Sequence, residues 1–295
     1  MLDFSYEARP TVSPSMSLDN LHPFAGQHAI QSAAFAVDFS AELNVSEIAQ
    51  IRSAAVELKA EFPSIADQHL TTVSLQFNPG RQNPPAVPAA AHDIGGFVMQ
   101  QSGSETVPPV SIRQIVVSRG NVVIAINDYT RWVKFRSDVE RYLSILLRGV
   151  NSQKGIAGVA LQFSDVFVWR ADPEDLDLKK VFSTTTQYLT PSVFNRGAML
   201  WHSHHGYIVE QERPVEFSRL DNVNISCNMV GGIPQLQILI SHKAVFQKAL
   251  YKILDVNKLK VSEIMESLHK KNKEILADIL SKEVQVKINL NSSKD

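Results

Sequence analysis

A single cysteine, Cys227, in 295 residues leaves nothing to pair within the chain. That excludes an intramolecular disulfide framework and fits a reducing compartment. Long apolar runs are missing too: no stretch approaches the about 18 uninterrupted apolar residues of a membrane-spanning helix. The opening Met1-Leu2-Asp3-Phe4 has no basic stretch followed by an apolar run, so no secretory leader is expected and the cytoplasm is the expected location. Charge of one sign is equally scarce, with 29 basic residues against 30 acidic and a net charge of -1. Nucleic-acid binders usually carry a basic excess, so nucleic acid is not the expected partner. Three chemical signatures are absent: G-x-x-x-x-G-K-[ST], G-x-G-x-x-G and G-x-S-x-G. Neither a P-loop nor a dinucleotide fingerprint nor a hydrolase elbow is offered, and no cofactor is expected.

What is present reads as a folded protein, 44% hydrophobic and 20% charged. Residues 1–30, with Pro10, Pro14 and Pro23, predict an extended arm. The stretch from Pro79 to Asp93, with Pro84, Pro85 and Pro88, predicts a loop between strands. Elsewhere two periods alternate. Phe35, Val37 and Phe39 have strand spacing, as do Val73, Leu75 and Phe77. Between them Asn44 and Glu47 form a capping box for a helix that runs to Phe62-Pro63. Ser118-Arg119-Gly120-Asn121 predicts a hairpin turn, and Trp132, Phe135, Val139, Tyr142 and Leu146 make one apolar helical stripe. The second half repeats that order. Val159, Leu161 and Phe163 start a strand running to about Trp169, and Asp172-Pro173-Glu174 opens a helix to about Tyr188. Val223, Ile225 and Cys227 alternate before Gly231-Gly232, and a helix over 261–283 closes the order. The expectation is α+β with two pseudo-equivalent halves, 31–150 and 151–285, each a curved antiparallel sheet packed on a long helix, then a tail over 286–295. Gly149, Asn151, Ser152 and Gly155 mark the boundary.

The phenylalanine-ended strand at Phe39, Phe62-Pro63, the Tyr129, Trp132 and Phe135 helix start and Leu268-His269 together carry a family likeness. In these the chain resembles a sporadically distributed family of uncharacterised bacterial proteins with no assigned activity. It departs from them at Leu161-Gln162-Phe163-Ser164-Asp165, where they carry an Arg-rich strand ending in Tyr-x-Asn. The resemblance implies patchy inheritance, as of accessory genes on mobile elements, phages or defence islands, and no site residues.

One cluster suggests chemistry. In Trp201-His202-Ser203-His204-His205-Gly206 two imidazoles spaced H-x-H on a strand share a side, a start for Zn²⁺ coordination. With Ser218-Arg219-Leu220-Asp221 this resembles the metal motif of JAMM-type isopeptidases. The resemblance implies His202, His204 and Asp221 as zinc ligands, with an upstream Glu activating the bound water. The chain departs from it in having His205 where a proline usually stands, an Asp221 too far downstream and no upstream Glu to single out. The plainer reading puts His202 and His204 on the polar side of a strand, with Met199, Trp201 and Tyr207 packed inward. Cys227 is in phase with Val223 and Ile225, which predicts a buried, inert thiol. The acidic cluster from Asp172 to Asp177 complements a helix start without a metal. The expectation is a non-enzymatic binding or regulatory protein acting through contacts with a protein partner or a second copy of itself. A zinc hydrolase is the alternative.

Overall fold

Alternation of apolar and polar residues fixes the strands, and helical stripes fix what covers them. The computed structural model describes residues 18–72, 91–103, 111–148, 150, 154–195, 200–211, 213–250 and 260–290. Most of the expected arm, the strand at Val73, Leu75 and Phe77, the proline loop at 79–90 and the boundary residues Gly149, Asn151 and Ser152 lie outside them. In chain order the elements are β1 (Leu21–Pro23), β2 (Ile30–Phe39), α1 (Val45–Ala54), β3 (Ser64–Thr72), β4 (Ala91–Ser102), β5 (Ser111–Ser118) and β6 (Asn121–Ile126). There follow α2 (Trp132–Leu146), β7 (Ile156–Trp169), α3 (Leu178–Val181), β8 (Trp201–Gln211), β9 (Phe217–Val230), β10 (Ile233–Leu250), α4 (Lys260–Ile279) and α5 (Lys282–Lys287).

The fold is α+β. The described strands form one ten-stranded antiparallel sheet in the order β3-β4-β5-β6-β2-β7-β10-β9-β8, with β1 beside the end of β7. Separate sheets for the two segments were expected. Instead β2 pairs with β7, from Phe39 opposite Ile156 to Ile30 opposite Asp165. The pairing satisfies two rows of backbone N–H and C=O groups that would otherwise be bare edges.

Local signals are executed as chemistry. The Asn44 carboxamide accepts from the Glu47 amide at 2.9 Å, and Glu47 accepts from the Asn44 amide at 2.8 Å, starting α1. That helix ends sooner than expected, tightening to a 3-10 turn over Ala55–Leu58. Gly231 and Gly232, both at positive φ, form the two-residue turn between β9 and β10, as type I′ hairpins require. The helix expected over 172–188 is instead a 3-10 turn, Pro173–Asp175, and the single turn α3. Asp172 accepts from the Glu174 amide and Asp177 from that of Lys179, so these acids are caps.

The buried apolar positions of the strands lie mostly on one face, under the helices; β7 also buries Ser164 and Val166 on the other. One apolar cluster joins Phe35, Val37, Ile124, Leu161 and Phe163 to α1, to α2 and to Ile264 and Leu268 of α4. A second joins Phe167, Val223, Ile225 and Ile238 to Ile275 and Ile279 of α4 and to α5. Thus α4 spans both clusters, with Asn272 buried between them. No helix among the described residues is long and apolar enough to cross a membrane.

Because one helix serves both clusters, Leu268→Ala and Ile275→Ala should each cost about 2–5 kcal/mol in denaturant unfolding and act on the same cooperative transition. Two separable transitions, each sensitive to one substitution, would show that the clusters fold independently.

Candidate functional site

On β7 the side chains that face the helices are Val159, Leu161, Phe163, Asp165, Phe167 and Trp169, five apolar groups and one carboxyl. Asp165 is 1% exposed, and its Oδ2 has no hydrogen-bond partner. Burial alone pushes its carboxyl up to about 7, because the charged form loses its hydration without gaining an ion pair. Beside it the register of β2 slips. Ile30 lies opposite Asp165, but Ser32 lies opposite Ser164, leaving Gln31 as an extra residue. Such bulges bend a strand and re-aim its neighbours. Here the chain before β2 swings past Asp165, so that His28, Ala29 and Ile30 line a cavity of about 90 Å³ over the carboxyl. That is room for several waters or a small ligand group.

Asn272 of α4 also lines this cavity. It is 4% exposed, and its Oδ1 has no partner. His28 adds an unpartnered Nδ1. Burial holds the His28 imidazole below its ordinary value, while backbone groups of Tyr129 and Ile30 oppose that shift. The walls are aromatic. Tyr129 meets the His28 and Phe163 rings edge-on at 5.6 Å and 5.8 Å. His269 stacks on Trp132 at 4.0 Å and 11°. The indole is itself fixed, because its Nε1 donates to Glu266 at 2.8 Å, tying α2 to α4.

The remaining wall is the chain leaving α5. Ser281 caps that helix, and Gln285 Nε2 donates to the carbonyls of Ala277 and Leu280 at 2.7 Å and 2.8 Å. Asn289 then takes a positive φ of 53° and turns Ile288 and Leu290 onto the cavity. The other side of the mouth is Thr130 and Arg131, the entry to α2, with Lys273 of α4 nearby.

The expected zinc ligands are not brought together. His202 and His204 lie on β8 opposite Ser226 and Asn224, on its exposed side. Asp221 is opposite Tyr207 and fully buried on the helix-covered face. The pleat is the reason: facing residues share a side, and even and odd positions of β8 point apart. Trp201 and Tyr207 pack inward against the second cluster. No group of three or more metal-binding side chains occurs among the described residues. Cys227 is buried, and its thiol is pushed up to about 11 by that burial.

Asp221 belongs to a different assembly. Arg219 Nε donates to its two oxygens at 2.9 Å and 3.0 Å, and His242 Nδ1 lies 2.5 Å from Oδ1. All three are buried. A carboxylate so satisfied is a structural hub. Replacing it with alanine should cost about 3–5 kcal/mol, since Arg219 would stay buried without its partner. Chemical denaturation measures this directly.

Compared with known proteins, the chain matches no family model and none of the curated proteins.

Asp165 predicts an unusual pH profile. Its carboxyl stands near 7 in the fold against an ordinary 3.8. Between those values the folded chain keeps a proton that the unfolded chain has released, so stability falls as pH rises through this window and levels off above it. The full effect is about 4 kcal/mol. Asp165→Asn should match the parent at the acid end of the window and exceed it in stability above the upper end. Denaturation midpoints across the window test this; parallel profiles for both proteins would mean that Asp165 is solvated or paired.

Proposed function

We propose that this chain is a non-enzymatic binding protein whose recognition site is the cavity over Asp165, and that the group it recognises is a primary ammonium or guanidinium. The observation that carries this reading is a pair of buried acceptors, Asp165 Oδ2 and Asn272 Oδ1, both lining one cavity and both without a donor. An isolated buried acceptor is costly, and a ligand carrying several N–H donors and a positive charge relieves both at once. Tyr129 and Phe163 in the lining add aromatic surroundings favourable to a cation. Binding a cation also favours the ionised form of Asp165.

Two sources can supply such a group: a free small molecule, or a Lys or Arg side chain of a protein partner or second copy. Protein contacts in a cytoplasmic bacterial or phage accessory system remain the wider setting we propose. The single cysteine, the balanced charge and the family resemblance support it. We also read the two segments as pseudo-equivalent halves. In support, β2 pairs with β6 and β7 with β10, residues leading into α2 and residues of α4 both line the cavity, and β2 and β7 pair at the middle. The site then lies at their junction.

Isothermal titration at about pH 8, where Asp165 is ionised and alkylamines are protonated, tests the reading with n-butylamine, guanidinium and a lysine-containing peptide. Saturable one-site binding is expected, lost in a folded Asp165→Asn variant. Preference for the peptide points to a protein partner; no saturable binding by any of the three sinks the proposal.

A further inference from the structure

The cavity is bipolar. Its floor, Asp165 and Asn272, offers acceptors, whereas its mouth is basic. Arg131 and Lys273 both line that mouth, and α2 begins there. The N-cap of α2 is Arg131, whose side chain makes no capping hydrogen bond, and the first turn holds no acidic residue. The start of a 15-residue helix therefore adjoins the mouth with no acidic residue in its own first turn, and Glu266 of α4, the carboxylate that meets this turn, is engaged by the Trp132 indole and Arg136. A helix N-terminus alone would say little. Here it shares a cavity with two buried, unpartnered acceptors that independently call for a ligand.

We propose that the ligand is a small zwitterion of the amino-acid class: an ammonium group held by Asp165 and Asn272, and a carboxylate held by Arg131 and the first-turn amides of α2. This rests on the binding reading above and narrows it to a free small molecule. A bare cation brings no acceptor for Arg131, and a bare anion leaves the floor acceptors without donors. The apolar walls, Phe163, Leu276 and Ile288, accommodate the carbon chain between the two charges. The ionised pair at the floor and the anion at the mouth give the complex alternating charge along the cavity, each opposite its partner.

Titrations of the full chain with matched pairs decide it: n-propylamine against β-alanine, n-butylamine against γ-aminobutyrate, and isopentylamine against L-leucine. At least one amino acid should bind about tenfold or more tightly than its amine, the worth of one charge-assisted contact. Arg131→Gln should erase that gain, so that in the variant no amino acid binds more tightly than its matched amine, and Asp165→Asn should abolish binding of both members of each pair. Arg131 is exposed, so its replacement leaves the fold intact, which the melting temperature of the variant verifies. Equal affinity of amines and amino acids overturns the zwitterion while the cation reading stands. Failure of amines and amino acids alike overturns both. A carboxylate gain that survives Arg131→Gln overturns the assigned anion end.

Discussion

The antiparallel pairing of β2 with β7 is the contact on which the rest of the molecule depends. Each strand is the inner border of a run of antiparallel neighbours, β3-β4-β5-β6 on one side and β10-β9-β8 on the other. Without the pairing, each run would end in a long edge of unsatisfied backbone groups at the centre of the protein. With it, β7 becomes the common wall of both apolar clusters. Leu161 and Phe163 enter one, while Phe167 and Trp169 enter the other. The residue between them is Asp165. The register slip in β2 sits at the same place, so one local irregularity both ends the regular pairing and opens the space above the carboxyl.

Two buried aspartates show how differently the same side chain can be used. Asp221 is held by Arg219 and His242 with short, well-directed contacts, and its charge is compensated within the protein. Asp165 is as deeply buried but has an oxygen without a partner and no ion pair. A hydrophobic residue at position 165 would continue the packing of Phe163 and Phe167 and remove the desolvation cost. The carboxyl is therefore a liability to stability that packing does not explain. Costs of this kind are characteristic of sites arranged for a ligand.

Much of the fold was legible because period, caps and turns are local. The Asn44–Glu47 box, the Gly231-Gly232 turn and the stripe from Trp132 to Leu146 each state their geometry within a few residues. The strand Ser64–Thr72 was not legible: Asp67, Gln68 and His69 give it no apolar alternation, and it is held by pairing with β4. The helix expected after Asp172 failed because Asp172 and Asp177 cap two separate turns, not one helix. The cavity was half legible. An aspartate in phase with Val159, Leu161, Phe163 and Phe167 is a visible anomaly in the sequence, whereas the H-x-H motif at His202 and His204 drew attention by local spacing alone. What no local pattern could give is that Asn272, more than a hundred residues downstream, lines the same cavity as Asp165.

The position of the cavity ties occupancy to the integrity of the whole fold. Its lining comes from the start of β2, the entry to α2, the middle of β7, the centre of α4 and the chain after α5. Of these, α4 holds both apolar clusters, and α2 is fastened to it through Trp132 and Arg136 on Glu266. The proposed ligand, by supplying donors to Asp165 and Asn272, would bridge β7 and α4 where the apolar packing between them is interrupted. It binds only the folded chain, so it stabilises the fold by RT ln(1 + [L]/Kd), about 2.7 kcal/mol at a hundredfold excess over Kd. That gain is of the same order as the about 4 kcal/mol expected from the raised Asp165 carboxyl. A molecule arranged in this way is less stable empty than filled near neutral pH. In the proposed complex the bridge falls on α4, the helix that packs into both apolar clusters.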